Sequence, residues 1–307
     1  MALKPSILHQ FRLSIHERQL GIYAVRVFQQ GQGEVSAFFR SDDKVCLYSG
    51  SKTFTALGVG ICRDQGRLHL NDTVLSFFPE FKAPASPGSE KITVRDLLHM
   101  ASGKKEFWFA GPPERMRNAD WAELFFADPM KGTPGGEFFY SNACTYMLSR
   151  IVEKVTAKKL RDFLVPVLFD PMGIDNPQWH TCPRGHTLGA TELYLTNAEY
   201  ARLGELLLGR GEFRGQRVVN EAWVNESVAD VIDSGPGPDA EGASGYGYQL
   251  WRCSYPGAYR ADGLYGQFSV VFPDLGAVVT VTAHEEKRAN DILRTVYQDI
   301  VPYLISP

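Results

Sequence analysis

The chain has 307 residues, 44% of them apolar and 12% aromatic, with 32 lysines and arginines against 35 aspartates and glutamates. That is enough chain to bury a large core as one big domain or two lobes, and a formal net charge of −3 without any basic run argues against a nucleic-acid partner. No stretch reaches membrane-spanning length, the first twenty residues mix charges with isolated apolar residues, and Cys46, Cys62, Cys144, Cys182 and Cys253 are odd in number and scattered. A cytoplasmic protein with reduced thiols, and with no membrane partner, is therefore expected.

In chain order, residues 5–19 read as a first helix, and GIYAVRVFQQGQGEVSAFFR from Gly21 reads as two β-rich runs joined at 31–33, a hairpin. YSGSKTFTALGVGI (48–61) follows. Its Phe54, Leu57 and Ile61 recur at helical spacing, so a core-facing helix opens there with polar groups on its first turn. Further helices are expected over 93–100, 119–127, 141–155, 159–169, 196–208 and 220–228. DSGPGPDAEGASG (233–245) reads as a flexible connector back into a sheet. SVVF (269–272) and AVVTVT (277–282) flank PDLG as a second hairpin, and a last helix over 286–300 offers Ile292, Leu293, Val296 and Ile300 to a core. The simplest assembly is an α/β (α+β) fold in which one antiparallel sheet is built from both chain ends and covered by helices, with a mostly helical lobe inserted. The expected organisation is a single domain over 1–307, with a sheet lobe of about 1–65 and 245–307, a helical lobe of about 66–244, and a cleft between them.

Two clusters in that layout carry chemistry. Ser49 and Lys52, one helical turn apart, project from one face, so a lysine whose charge is disfavoured by burial and by the positive helix end can take the serine proton. Ser102 and Lys105 repeat the spacing, but the segment after them, KKEFWFAGPPE, reads as loop. Ser51 is adjacent to Lys52 and poorly aimed at it. The second cluster is Tyr140 and Asn142 in GGEFFYSNACTYMLSRIVEKV, two residues apart just before a helix with Ser141 at its N-cap, so that a phenol and an amide can enter one cleft.

Together these segments resemble the serine hydrolases of the β-lactamase and penicillin-binding-protein superfamily, in its class C β-lactamase-like and esterase branch. SKTFTALGVGICRDQGRLHLNDTV, ITVRDLLHMASG, PGGEFFYSN, LTNAEYARLGELLLGRGEFRGQRVV and GLYGQFSVVFPDLGAVVTVT look like that family's segments in its order, from about residue 10 to the end. The resemblance implies that Ser49 is an acyl-forming nucleophile, Lys52 its partner, Tyr140 a proton shuttle and Asn142 a substrate-orienting amide, with no cofactor. It also implies that RADGLYGQFS is an edge strand ending at Gly263, against which substrate lies, and that the Leu264 and Ser49 N–H groups form an oxyanion hole. The chain departs from the pattern at Ala261, where the family carries a lysine or histidine, and Asp262 follows. The expected activity is hydrolysis of a small ester, amide or peptide-like substrate, carboxylesterase-like. The alternatives are a β-lactamase or D-alanyl-D-alanine carboxypeptidase, and a non-catalytic binding protein on the same fold. Without the cation, short esters should be preferred to cephalosporins unless Arg260, Arg252 or Arg184 reaches the cleft, and Ala261→Lys should help the cephalosporin more.

Other residues carry less. His180, Cys182 and His186 lack a fourth donor for zinc. His99 reads as a helix-end residue, and His284 and Glu285 as solvent-exposed. Phe107, Trp108, Phe109, Trp121, Phe125 and Phe126 read as core of the helical lobe, or alternatively as an apolar wall over the cleft.

Overall fold

A computed structural model describes residues 2–304. At its centre is an antiparallel sheet in the order β2-β1-β6-β5-β4-β3, comprising β1 Ile22–Gln29, β2 Gly33–Phe38, β3 Trp251–Arg252, β4 Tyr259–Gly263, β5 Gln267–Phe272 and β6 Ala277–Ala283. The two hairpins that the sequence predicts are joined edge to edge: Val25 stands opposite Val281 and Val27 opposite Val279. β5 and β6 are buried at every position, which is why they read as continuous apolar runs instead of alternating ones.

Helices bury both faces. On one, α1 (His9–Glu17) and the final helix α7 (Ala289–Asp299) set Phe11, Ile15, Ile292, Leu293 and Val296 against Val25, Val27, Val270 and Val279. On the other lies α6 (Asn197–Leu208), whose Leu207 carbonyl accepts the Tyr259 hydroxyl at 3.3 Å. The rest of the helical part is organised around α2 (Ser51–Asp64), buried from Ser51 to Gly60. α2 can be central because it is thin where neighbours cross it. A Cβ at Gly60 would come within 2.4 Å of the Trp223 ring. α4 (Asn142–Thr156) and the short α5 (Leu160–Leu164) complete this core.

Several expectations are corrected. The helix predicted over 159–169 changes after α5 into a π turn at Val165–Phe169, where Pro166 has no N–H to give. The last helix begins at Ala289, and Glu285 is buried, accepting the Gly21 N–H at 3.3 Å, while His284 is exposed. β4 is not the sheet edge, because β3 lies outside it. The 233–245 connector is pinned: Glu241 is 3% exposed and accepts Arg260 at 2.9 Å, and Asp239 accepts Asn290 at 2.7 Å. A buried guanidinium needs a counter-charge, and nothing in a glycine- and proline-rich composition shows which loop supplies it. Among the described residues no helix is long and apolar enough to cross a membrane.

Asp120 ties two helices together. It caps α3 (Trp121–Ala127) through the Ala122 N–H at 2.9 Å and accepts Arg150 of α4 at 2.9 Å, both side chains being largely buried. Asp120→Ala should therefore lower the unfolding free energy by roughly 3 kcal/mol, read from the urea midpoint. Asp120→Asn, which keeps the cap, should cost less.

Candidate active site

A 3₁₀ turn, Tyr48–Gly50, leads into α2 and sets Ser49 directly before the helix, with Lys52 in its first turn. The predicted face-to-face arrangement is present: Lys52 Nζ lies 3.0 Å from Ser49 Oγ. Lys52 is 1% exposed, and Nζ also donates to Asn142 Oδ1 at 2.6 Å and to the Ala190 carbonyl at 2.7 Å. All three partners are neutral oxygens. Burial therefore governs the amine and pulls its pKa down to about 7, with the Asp262 charge opposing. A neutral amine has two N–H groups and one lone pair. The two shorter contacts consume the N–H groups, which leaves the lone pair for the Ser49 hydroxyl.

Tyr140 precedes α4 and stands over the same point, its ring centroid 5.1 Å from Lys52 Nζ. It is boxed by aromatic rings: Trp251 stacked at 5.7 Å, Tyr246 edge-on at 6.0 Å and Phe107 at 6.4 Å. Burial pushes the phenol well above its ordinary pKa, against a hydrogen bond with Ser49 that works the other way. The neutral phenol both donates and accepts a proton. Asn142 is the first residue of α4, not part of the segment before it. Ser141 occupies the N-cap, but its hydroxyl donates to the Glu106 carbonyl at 2.7 Å instead of capping.

The end of β4 closes the other side. A Cβ on Gly263 would stand 2.1 Å from the Leu47 carbonyl oxygen and 3.1 Å from the Gly50 nitrogen, so only glycine lets the strand lie against the serine turn. Leu264 follows with its side chain 56% exposed and its N–H without a hydrogen bond among the described residues. The Ser49 N–H belongs to the first turn of a helix, where no intrahelical acceptor exists. Two tyrosines flank this corner in left-handed backbone, Tyr48 with φ 47° and Tyr265 with φ 65°, their rings edge-to-face at 5.2 Å. Left-handed geometry is uncommon for bulky residues and marks strain beside Ser49.

The remaining candidates go elsewhere. Ala261 is 1% exposed in the core on the α6 side of the sheet, so a lysine at that position would be driven into packed apolar surroundings instead of simply facing substrate. Two of the three arginines are paired with carboxylates. Arg260 is held by Asp262 at 2.7 Å, Glu241 and the Arg252 carbonyl; Arg252 donates to the Val228 carbonyl; Arg184 reaches Asp120 and Asn118. In the second serine–lysine copy, Lys105 pairs with Glu137 at 2.6 Å and Ser102 bonds the Lys104 N–H. His99 caps a helix end and contacts the Asp230 carbonyl at 3.0 Å. His186 pairs with Glu153, His180 with Glu192, and Cys182 contacts the Tyr146 hydroxyl. The aromatic group divides: Phe107 stacks on Tyr140, half exposed, whereas Trp108, Phe109 and Trp121 pack with one another, and Phe109 and Trp121 also reach Tyr146.

Sequence reasoning missed Ala190, Tyr246, Trp251 and the strained Tyr48. The last three are aromatics with no local pattern to distinguish them from core. Ala190 acts through its carbonyl, which any residue could supply.

The geometry agrees with what similarity shows. The beta-lactamase family model matches residues 22–300. The chain belongs to the beta-lactamase family. It is 27% identical over 208 residues to the 6-aminohexanoate-dimer hydrolase of Paenarthrobacter ureafaciens (63% of this chain, 53% of that one) and 27% identical over 193 residues to the lovastatin esterase of Penicillium rubens (55% and 48%). The chain thus spans about half the length of the curated relatives it matches. Its fold is that of the octameric penicillin-binding protein homologue from Pyrococcus abyssi, with a TM-score of 0.76 at 18% identity over 98% of this chain and 78% of that one.

The lysine leaves a signature in stability. Its pKa is lower in the folded chain than its ordinary 10.5, so between those two values the unfolded chain binds the extra proton and stability rises with pH, by at most about 1.4 kcal/mol per unit. Lys52→Met removes that dependence. The stability of the wild type relative to Lys52→Met should increase between about pH 7 and pH 9.5 in denaturant titrations; a constant difference would contradict a lysine held neutral.

Proposed function

We propose that the protein is a serine hydrolase that cleaves an ester or amide through an acyl-enzyme on Ser49, in the manner of a carboxylesterase. The observation that carries this reading is the 3.0 Å contact between Lys52 Nζ and Ser49 Oγ, with Asn142 Oδ1 and the Ala190 carbonyl as the other partners of the buried amine. A serine hydroxyl is a weak nucleophile until a base takes its proton, and an amine with a pKa of about 7 is matched to that task near neutral pH.

In this reading Ser49 Oγ attacks the carbonyl carbon while its proton passes to Lys52 Nζ. The carbonyl electron pair moves onto oxygen, which accepts from the N–H groups of Ser49 and Leu264. Those donors are backbone and survive any change of side chain at 261. As the tetrahedral centre collapses, Tyr140 gives its hydroxyl proton to the leaving group and is re-protonated from Lys52. Water then repeats the steps on the acyl-Ser49 ester, and the acid departs. Tyr140 serves as a relay and not as a phenolate base, since burial holds the phenol neutral. Asn142 fixes the lysine and offers its amide to the substrate.

A fluorophosphonate probe should label Ser49, located by peptide mass, and Ser49→Ala should abolish turnover of a short-chain p-nitrophenyl ester. Equal rates for wild type and Ser49→Ala would instead support the reading of a binding protein on this fold. The substrate class follows from what the cleft lacks. With Ala261 buried and Arg260 and Arg184 paired with carboxylates, neither guanidinium is spare for the carboxylate of a β-lactam or a peptidoglycan stem, whereas a neutral ester loses nothing. Short-acyl ester hydrolysis should exceed that of a chromogenic cephalosporin in kcat/KM. A cephalosporin rate at or above the ester rate would favour the β-lactamase or carboxypeptidase alternative.

A further inference from the structure

Besides lacking a free cation, the strand beside Ser49 carries a carboxylate. Along β4, Tyr259, Ala261 and Gly263 face α6 and the serine turn, so Arg260 and Asp262 point to the opposite side. That is the face of Phe268 and Val270, which α1 and α7 cover; at its edge Arg260 pairs across the sheet with Trp251, its guanidinium 5.9 Å from the indole, and the indole stacks on Tyr140, which ties this edge to the serine site. Asp262 is next to Gly263, which touches the serine turn, and its side chain retains 23% exposure. Its Oδ2 accepts Arg260 Nε at 2.7 Å, while Oδ1 takes no hydrogen bond among the described residues. Arg260 also meets Glu241 at 2.9 Å, 4% exposed, which is further bonded by Ser254 and Tyr297. Two carboxylates share one guanidinium. The trio's formal charge is therefore −1; burial pushes the Asp262 carboxyl up while the Arg260 guanidinium holds it down, and Asp262 is the partly exposed member. The same charge acts on the protons of Lys52 and Tyr140, which places it within electrostatic range of the reacting groups.

We propose that Asp262 makes this corner of the cleft a subsite for a cationic group, so that the preferred substrates are esters or amides with an ammonium group on the leaving-group side and those with a carboxylate there are rejected. The leaving-group side follows from Tyr140, the proton donor to the leaving group, which shares the Trp251 wall with Arg260 and Asp262. This deepens the serine hydrolase reading and rests on it. A charge beside a partly dry cleft acts far more strongly than one in water, and like charges brought together there reject a ligand as effectively as opposite charges attract one.

The test uses three S-acetyl thiols of matched length, ending in a trimethylammonium, a hydroxyl or a carboxylate group, with thiol release followed at pH 8 in low salt. The kcat/KM ratio of ammonium to carboxylate substrate is expected to be about tenfold or more, and to shrink at high ionic strength. Asp262→Asn should reduce that ratio at least about fivefold. Working with ratios divides out any change in Lys52, whose proton affinity also depends on Asp262. Arg260 keeps Glu241 and the Arg252 carbonyl in this variant. If the variant nevertheless fails to fold, the salt dependence of the wild-type ratio decides. A ratio near one, a carboxylate preference, or a folded Asp262→Asn with an unchanged ratio overturns the subsite. The hydroxyl-ended ester separates the two levels. Its turnover by wild type and not by Ser49→Ala upholds the hydrolase whatever the charges do, and failure on all three esters overturns both.

Discussion

The structure depends on a lysine taken out of water without a counter-charge. A buried amine normally either pairs with a carboxylate or surrenders its proton. Lys52 has three oxygen neighbours and none is charged, so the neutral form is the one the fold accommodates. The geometry around it follows from that. Asn142 must open α4 so that its amide oxygen reaches back across the lobe, the loop at Ala190 must bring a carbonyl to the opposite side, and the only direction left for the lone pair is toward Ser49. α2 has to be buried along its length for this, and it is, through narrow crossings such as that of Trp223 over Gly60.

The second constraint is the close approach of β4 to the serine turn. At Gly263 the strand backbone occupies space that a Cβ would need, and this contact sets the N–H of Leu264 beside the mouth of α2. The sheet that holds the strand is closed from both chain ends, pairing for example Val27 with Val279, so both ends of the chain support one side of the site, while Tyr140 in its aromatic box comes from the middle of the chain. Charge is distributed to match. Ala261, on the α6 side, is small and buried; Asp262, on the other, is acidic and balanced by an arginine that Glu241 already shares.

Much of this is legible in the sequence. Apolar periodicity located α2, α4, α6 and α7, and β-rich runs located both hairpins, because each element buries a face whose spacing is written locally. Ser49 with Lys52, and Tyr140 with Asn142, were legible as pairs for the same reason: each lies within one turn or two residues. What the sequence hid is long-range. Nothing near Ala190 shows that its carbonyl will meet a lysine 138 residues away. Glu241 reads as part of a flexible connector because its partner, Arg260, is distant in sequence. Trp251 and Tyr246 are ordinary aromatics until Tyr140 is placed between them. The orientation of Ala261, toward packed core, was likewise decided by strand register and not by composition.

The most direct measurement is a titration of Lys52 itself in the intact protein, following its ¹³Cε resonance by NMR in lysine-labelled protein and assigning it by its loss in Lys52→Arg. The account predicts a midpoint at about 7, distinct from that of Lys104, whose amine burial pulls down to about 8. A Lys52 midpoint near 10 would mean that the amine is charged at neutral pH and cannot take the serine proton, and the account would fail at its base.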